Sequence, residues 1–190
     1  MEKIRKTGIG IVGLPGAGKS LVSEVATERY GIPTIVMGDI IRQLCVEKGL
    51  DITPKNLGDL MVNIRKEEGM DAVAKRTLSK VAEVKGDIVI IDGLRSYEEV
   101  ELFRARLTRF LIMAMHASPH TRFMRLQKRR RFDDPQNFKI FQERDFREII
   151  AGIAKIFALA DIMLVNEGRI RPLKNQISTV LRLIRENKWR

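Results

Sequence analysis

The eight residues Gly13-Leu14-Pro15-Gly16-Ala17-Gly18-Lys19-Ser20 constrain this chain more tightly than any other stretch of it. They meet the pattern G-x-x-x-x-G-K-[ST] in full. Glycines at these spacings let successive backbone N–H groups turn inward around an anion, and the helix that follows adds the positive end of its dipole. The lysine then reaches terminal phosphate oxygens, and the serine hydroxyl meets a divalent cation. Such a loop works only between a buried strand and a helix. Both are legible here. Thr7 to Val12 (TGIGIV) is a short apolar run, and Leu21, Val22, Val25 and Ala26 recur at helical spacing until Gly31.

The same alternation continues down the chain. Pro33 to Met37, Asp87 to Ile91, Phe110 to Met115 and Asp161 to Val165 read as further short strands. Helical patterns separate them. One runs through Ile40, Ile41 and Leu44 to near Gly49, and the next starts at Thr53-Pro54, a cap followed by proline at the first helical position. It extends to about Val84 with an interruption near Gly69. Ser96 with Glu99 three residues on forms a capping box, and Ser118-Pro119 opens another helix. A long helical pattern follows Asp133-Asp134-Pro135 to about Leu159, and Pro172 to Arg185 forms an amphipathic closing helix. Strands alternating with helices predict a five-stranded parallel sheet covered on both faces, the α/β arrangement of P-loop nucleotide-binding proteins. The 190 residues form one domain of this kind.

Composition narrows the function. No apolar run approaches the roughly 20 residues that span a bilayer, and Met1 to Lys6 does not read as a signal peptide. The single Cys45 rules out an internal disulfide and a multi-cysteine zinc site, so a reducing cytoplasm is expected. A net charge of +11 fits either nucleic acid or clustered phosphates of a nucleotide. The basic excess gathers after Pro119, around Asp133-Asp134, and at the C-terminal end. Aromatic residues make up only 6% and are not interleaved with basic ones, which disfavours a stacking platform for single strands. His116 reads as a packed strand-end residue and His120 as exposed. Met61, Met70, Met113, Met115 and Cys45 read as core.

Asp92 closes the apolar run Ile88-Val89-Ile90-Ile91. A carboxylate at the end of a central strand lies beside the phosphate loop, where it holds water on Mg²⁺. Several further segments carry a family resemblance. Gly38-Asp39-Ile40-Ile41-Arg42 resembles the G-D-[LM]-[LI]-R segment of adenylate kinases. Asp92-Gly93-Leu94-Arg95 is similar to their D-G-F-P-R, one residue shorter and without the proline. Arg131-Phe132-Asp133-Asp134 with downstream Arg144 resembles their lid pattern R-x-D-D. Ala160 to Gly168 (ADIMLVNEG) is similar to the A-D-x-x-[IL]-x-N-x-G stretch of dephospho-CoA kinases. Val36 to Asp39, Arg65 to Arg76 and His116 to Pro119 extend the likeness over nearly the whole chain, to archaeal adenylate-kinase-related P-loop proteins.

The resemblance implies an ATP- and Mg²⁺-dependent transfer of a phosphoryl group to a nucleotide such as AMP, with a larger acceptor such as dephospho-CoA as the alternative. It implies that residues about 38–84 bind the acceptor and about 120–148 form a lid. Gly13, Pro15, Gly16, Ala17, Gly18, Lys19, Ser20 and Leu21 would hold the donor's phosphates. Asn166 and Gly168 would lie beside its base, and Ser20 and Asp92 would serve the metal. Gly38, Asp39, Arg42, Arg65 and Arg95 would take the acceptor. Arg122, Arg131, Arg144 and Arg147 would close from the lid side, with Lys19, Asp92, Arg131 and Arg144 nearest the chemistry. Physical reasoning supports the arginines independently, because a migrating phosphoryl group spreads charge over its oxygens and a planar guanidinium holds two of them at once. Tyr97, Glu98 and Glu99 follow Arg95-Ser96 where adenylate kinases carry a base-reading Gln, so adenine selectivity through that contact is not expected. A different class also fits the charge: a nucleotide-sensing or nucleic-acid-associated P-loop protein with little turnover.

Overall fold

The computed structural model describes residues 3–130 and 134–189. Five parallel strands stand in the order β2-β3-β1-β4-β5. They are β1 (Ile4–Val12), β2 (Thr34–Val36), β3 (Ile88–Asp92), β4 (Leu107–His116) and β5 (Ile162–Val165). The helices are α1 (Ser20–Tyr30), α2 (Met37–Glu47), α3 (Pro54–Glu68), α4 (Ala72–Glu83), α5 (Tyr97–Arg106), α6 (Pro119–Arg129), α7 (Phe138–Glu148), α8 (Ala154–Ala158) and α9 (Ile170–Arg185). The register sets Ile11 opposite Asp92 and Val12 opposite Ala114. The phosphate loop therefore leaves the central strand between the ends of β3 and β4.

Alternation along the strands explains the two cores. Val89 and Ile91 of β3 with Ile112 and Ala114 of β4 point to the face covered by α2 to α5 and α8. Ile9, Ile11, Ile90 and Met113 point to the other face, under α1 and α9. The α9 stripe Leu173, Ile177, Val180, Leu181 and Ile184 is buried at helical spacing, each side chain worth about 1.5–3 kcal/mol of transfer free energy. Two caps match the sequence reading. Thr53 accepts from Asn56 N, and Ser96 with Glu99 makes both bonds of a capping box.

Three expectations change. The long helix to Leu159 is broken: α7 ends at Glu148, a π-helical turn covers Ile149–Ile153, and α8 follows. Gly152 makes the kink, with φ +114°, where a Cβ would sit 3.2 Å from the Arg95 carbonyl oxygen. His116 is exposed rather than packed, its ring edge-on to Phe157 at 6.0 Å. Met70 is 40% exposed, while Met113, Met115 and Cys45 are fully buried as core.

Candidate functional site

The loop is built to face an anion. Gly16 holds φ +82°, and a Cβ there would lie 2.7 Å from the Arg122 carbonyl oxygen, so only glycine fits both the turn and the approach. Lys19 Nζ donates to the Gly13 carbonyl at 2.7 Å, folded back across its own loop. Burial lowers its pKa, and Asp92 is the foremost group opposing that shift. Burial raises the Asp92 pKa in turn, opposed by Lys19 and Arg95. Asp92 Oδ1 is buried with no hydrogen-bond partner. A hard cation or its water would satisfy that oxygen, and the Ser20 hydroxyl starts α1 beside the same cleft. Among the described residues there is no cluster of three or more acidic, histidine or cysteine side chains able to cage a metal alone. The donor set thus fits a Mg²⁺ carried in on phosphate oxygens.

Gly13, Gly16, Gly18, Lys19, Ser20, Asp92 and Arg129 line a cleft of about 450 Å³. A second cavity of about 860 Å³ adjoins it, walled by Ile41, Leu57, Met61, Ile140 and Ala151 on its apolar side. Arg42, Arg95, Arg144 and Glu148 line both. Arg42 bonds Asp39 within α2, and Arg95 Nη1 bonds Glu148 Oε2 across from α7. Arg147 and Gly38 line the second cavity only.

Other expected residues lie elsewhere. Arg65 turns away to Glu99, whose side chain is fully buried, at 2.8 Å. Arg122 is 2% exposed, and its donors are turned to protein acceptors: Nε to the Ala117 carbonyl, Nη1 to the Pro15 carbonyl at 3.2 Å, and both terminal nitrogens to Asp145. The Phe141 ring covers it at 4.8 Å. Arg122 therefore braces the loop from behind. Asn166 does the same from just after β5, donating from Nδ2 to the Ala17 carbonyl at 2.9 Å while Arg125 Nη2 donates to its oxygens. Ala17 is buried, and Leu21 packs on the α1–α9 core. Gly168 is exposed with open space around it. Arg131 lies outside the described residues.

Of the consecutive Arg129, Arg130 and Arg131, which cannot all face one phosphate, sequence reasoning ranked Arg131 ahead of Arg129, and it passed over Asp145 and Glu148. The signal for Arg129 was present. Arg122, Arg125 and Arg129 fall at i, i+3 and i+7 on α6, hence on one helical face. Arg130 ends that helix in the left-handed conformation at φ 52°, which separates it from Arg129. Asp145 and Glu148 carried no such signal, because their partners are distant in sequence.

Comparison with known proteins identifies the family and the fold. A sequence profile described as an AAA domain matches residues 12–139. The UPF0200 protein MJ1399 of Methanocaldococcus jannaschii is 43% identical over 181 residues, 94% of this chain and 91% of the relative. The crystal structure of TT1252 from Thermus thermophilus superposes with a TM-score of 0.67 at 17% identity, covering 94% of this chain and 97% of that one. A shikimate kinase from Bacteroides thetaiotaomicron superposes with a TM-score of 0.64 at 17% identity, over 93% and 99% of the two chains. The fold is that of small P-loop kinases, and the chain belongs to the UPF0200 family within the AAA-domain P-loop proteins.

Proposed function

We propose that this chain is a phosphotransferase that moves the γ-phosphoryl group of ATP to an anionic acceptor of the nucleotide class, AMP or a related monophosphate. One observation carries the reading. The phosphate loop, the Lys19–Asp92 pair and arginines from four separate segments meet in a single cleft: Arg42 of α2, Arg95 after β3, Arg129 of α6 and Arg144 of α7. Catalysis by such a set is positioning and electrostatics, since little covalent chemistry falls to the protein. Backbone N–H groups of the loop and Lys19 hold the donor's terminal phosphates. Asp39, Glu148 and Asp134 hold Arg42, Arg95 and Arg129, and a phosphoryl group that takes their place would receive paired donors for the charge that develops on its equatorial oxygens.

Mg²⁺, held through Ser20 and the unpartnered oxygen of Asp92, would neutralise phosphate charge when bound. The cavity beside the cleft gives the acceptor an apolar wall for its body and Arg42, Arg95, Arg144 and Arg147 for its anion. In this reading residues about 38–84 form the acceptor side and about 120–148 the lid. Water excluded between them would leave the acceptor as the only nucleophile. The volume of about 860 Å³ also supports dephospho-CoA as a second acceptor, being roomy for a mononucleotide. Among the described residues no helix is long and apolar enough to cross a membrane.

A coupled assay of ATP turnover with AMP, other monophosphates and dephospho-CoA tests this. At least one acceptor should raise turnover well above the Lys19→Ala background. If none does, the kinase reading fails and nucleotide sensing takes its place.

A further inference from the structure

The described cleft residues include one carboxylate that the reaction above does not use. Glu148, on the last turn of α7, lines both the phosphate cleft and the acceptor cavity. Its side chain is 15% exposed and is bonded to Arg95 Nη1. A negative group at the meeting point of two anion sites is unfavourable unless it has an assigned place. Its place is on the guanidinium that an acceptor phosphate would take. The link also joins two elements, because Arg95 follows β3 while Glu148 belongs to the lid helix. Immediately beyond it the chain passes through the π-helical turn to Gly152, whose open side meets the Arg95 carbonyl. Three residues before it, Asp145 anchors the same helix to Arg122 behind the phosphate loop.

We propose that Glu148 is an internal stand-in for the acceptor's anionic group: it occupies Arg95 while the cleft is empty, and an acceptor phosphate takes Arg95 from it, releasing the last turn of α7 above the Gly152 kink. This deepens the kinase reading and rests on it for the identity of the anion. The exchange sets a threshold. Any anion that uses Arg95 binds more weakly by the fraction of chains in which Glu148 has let go, so weakly held anions stay out and a well-anchored acceptor enters. An adenosine moiety without a phosphate is indifferent to the contact.

The test uses the full chain and its Glu148→Gln variant, with the phosphate loop first filled by a non-hydrolysable ATP analogue and Mg²⁺. Calorimetric titration then reads the binding of AMP and of inorganic phosphate. The variant should bind both about tenfold more tightly, the worth of one charge-assisted contact no longer displaced. Adenosine should show no gain, and Glu148→Asp, one methylene shorter, should fall between. In a chain carrying Arg95→Gln as well, the gain should vanish. Equal or weaker phosphate binding by Glu148→Gln, a gain that survives without Arg95, or no phosphate binding by either protein would each overturn the proposal. The analogue titration alone reports on the donor site. If the analogue does not bind, the kinase reading fails, and the ratio of phosphate affinities measured on the unfilled chains still decides the role of Glu148.

Discussion

At the scale of single residues, the Lys19–Asp92 pair explains why such a cleft is costly to build. Both groups are partly removed from water, and each one's pKa moves toward its neutral form despite the attraction of the other. The raised direction at Asp92 already includes the pull of Lys19 and Arg95, so its ionised form is a net burden on the folded chain. A carboxyl with a higher pKa folded than unfolded holds more protons in the native state across that interval. Its stability contribution therefore falls as pH rises through the window, and the loss persists above it. Below the ordinary carboxylate range the loss is absent. Asp92→Asn should accordingly unfold at a higher temperature than the parent at pH 7 and at the same temperature near pH 3, with no nucleotide present. The same variant should lose Mg²⁺-dependent turnover. Calorimetry at the two pH values checks the first part, and a fall in the pH 7 midpoint would count against it. Stability given up at a site that function requires is a familiar trade.

At the scale of elements, α7 is tied to the phosphate loop by one buried ion pair. Arg122 and Asp145 leave only 3% and 14% of their side chains exposed, and Arg122 also reaches the Pro15 carbonyl. Asp145→Ala would strand a guanidinium that has few other partners, at a cost of about 3–5 kcal/mol. Urea unfolding should show the midpoint falling accordingly, and a shift well under 1 kcal/mol would mean that water replaces the carboxylate. The elements themselves were largely legible in the sequence. Buried strands were marked by their apolar runs, helix starts by Thr53-Pro54 and Ser96 with Glu99, and the loop by its glycines and lysine. The break at Gly152 was not, since Ile149, Ile150, Ile153 and Ile156 keep apolar residues coming and one glycine is tolerated inside many helices. Nor was the division of labour among arginines. Arg42, Arg95 and Arg144 line the cleft, the first two already bonded to Asp39 and Glu148, while Arg65 and Arg122 sit against Glu99 and Asp145 away from its lining, and nothing local distinguishes them. Which arginine meets a ligand depends on which acid the fold brings near. That is long-range information.

At the scale of the whole molecule, the net charge of +11 has two separate seats. One is the cleft at the C-terminal ends of the strands. The other is the exposed side of α9 towards its C-terminal end, with Arg182 and Arg185 open to solvent. The chain after α9 packs at the opposite end of the sheet, where Arg109 near the start of β4 donates to Asn187 Oδ1 at 3.1 Å. Charge on that helix therefore reaches bulk phosphates without passing through the nucleotide site. Mg-ATP and a generic oligonucleotide should then behave as independent ligands. Saturating Mg-ATP, at 100 times its dissociation constant, should stabilise the parent by about 2.7 kcal/mol and leave Lys19→Ala almost unmoved. Oligonucleotide binding should weaken steeply between 50 and 200 mM salt, by about an order of magnitude or more, as counterion release requires. It should be the same in the parent and in Lys19→Ala, and should fall when Arg182 and Arg185 are both replaced by Gln. Fluorescence anisotropy with a labelled oligonucleotide, run with and without Mg-ATP, separates the cases. Competition between the two ligands would place nucleic acid in the cleft itself. Independence would leave the cleft to nucleotides and assign the remaining basic charge to long-range attraction of polyanions.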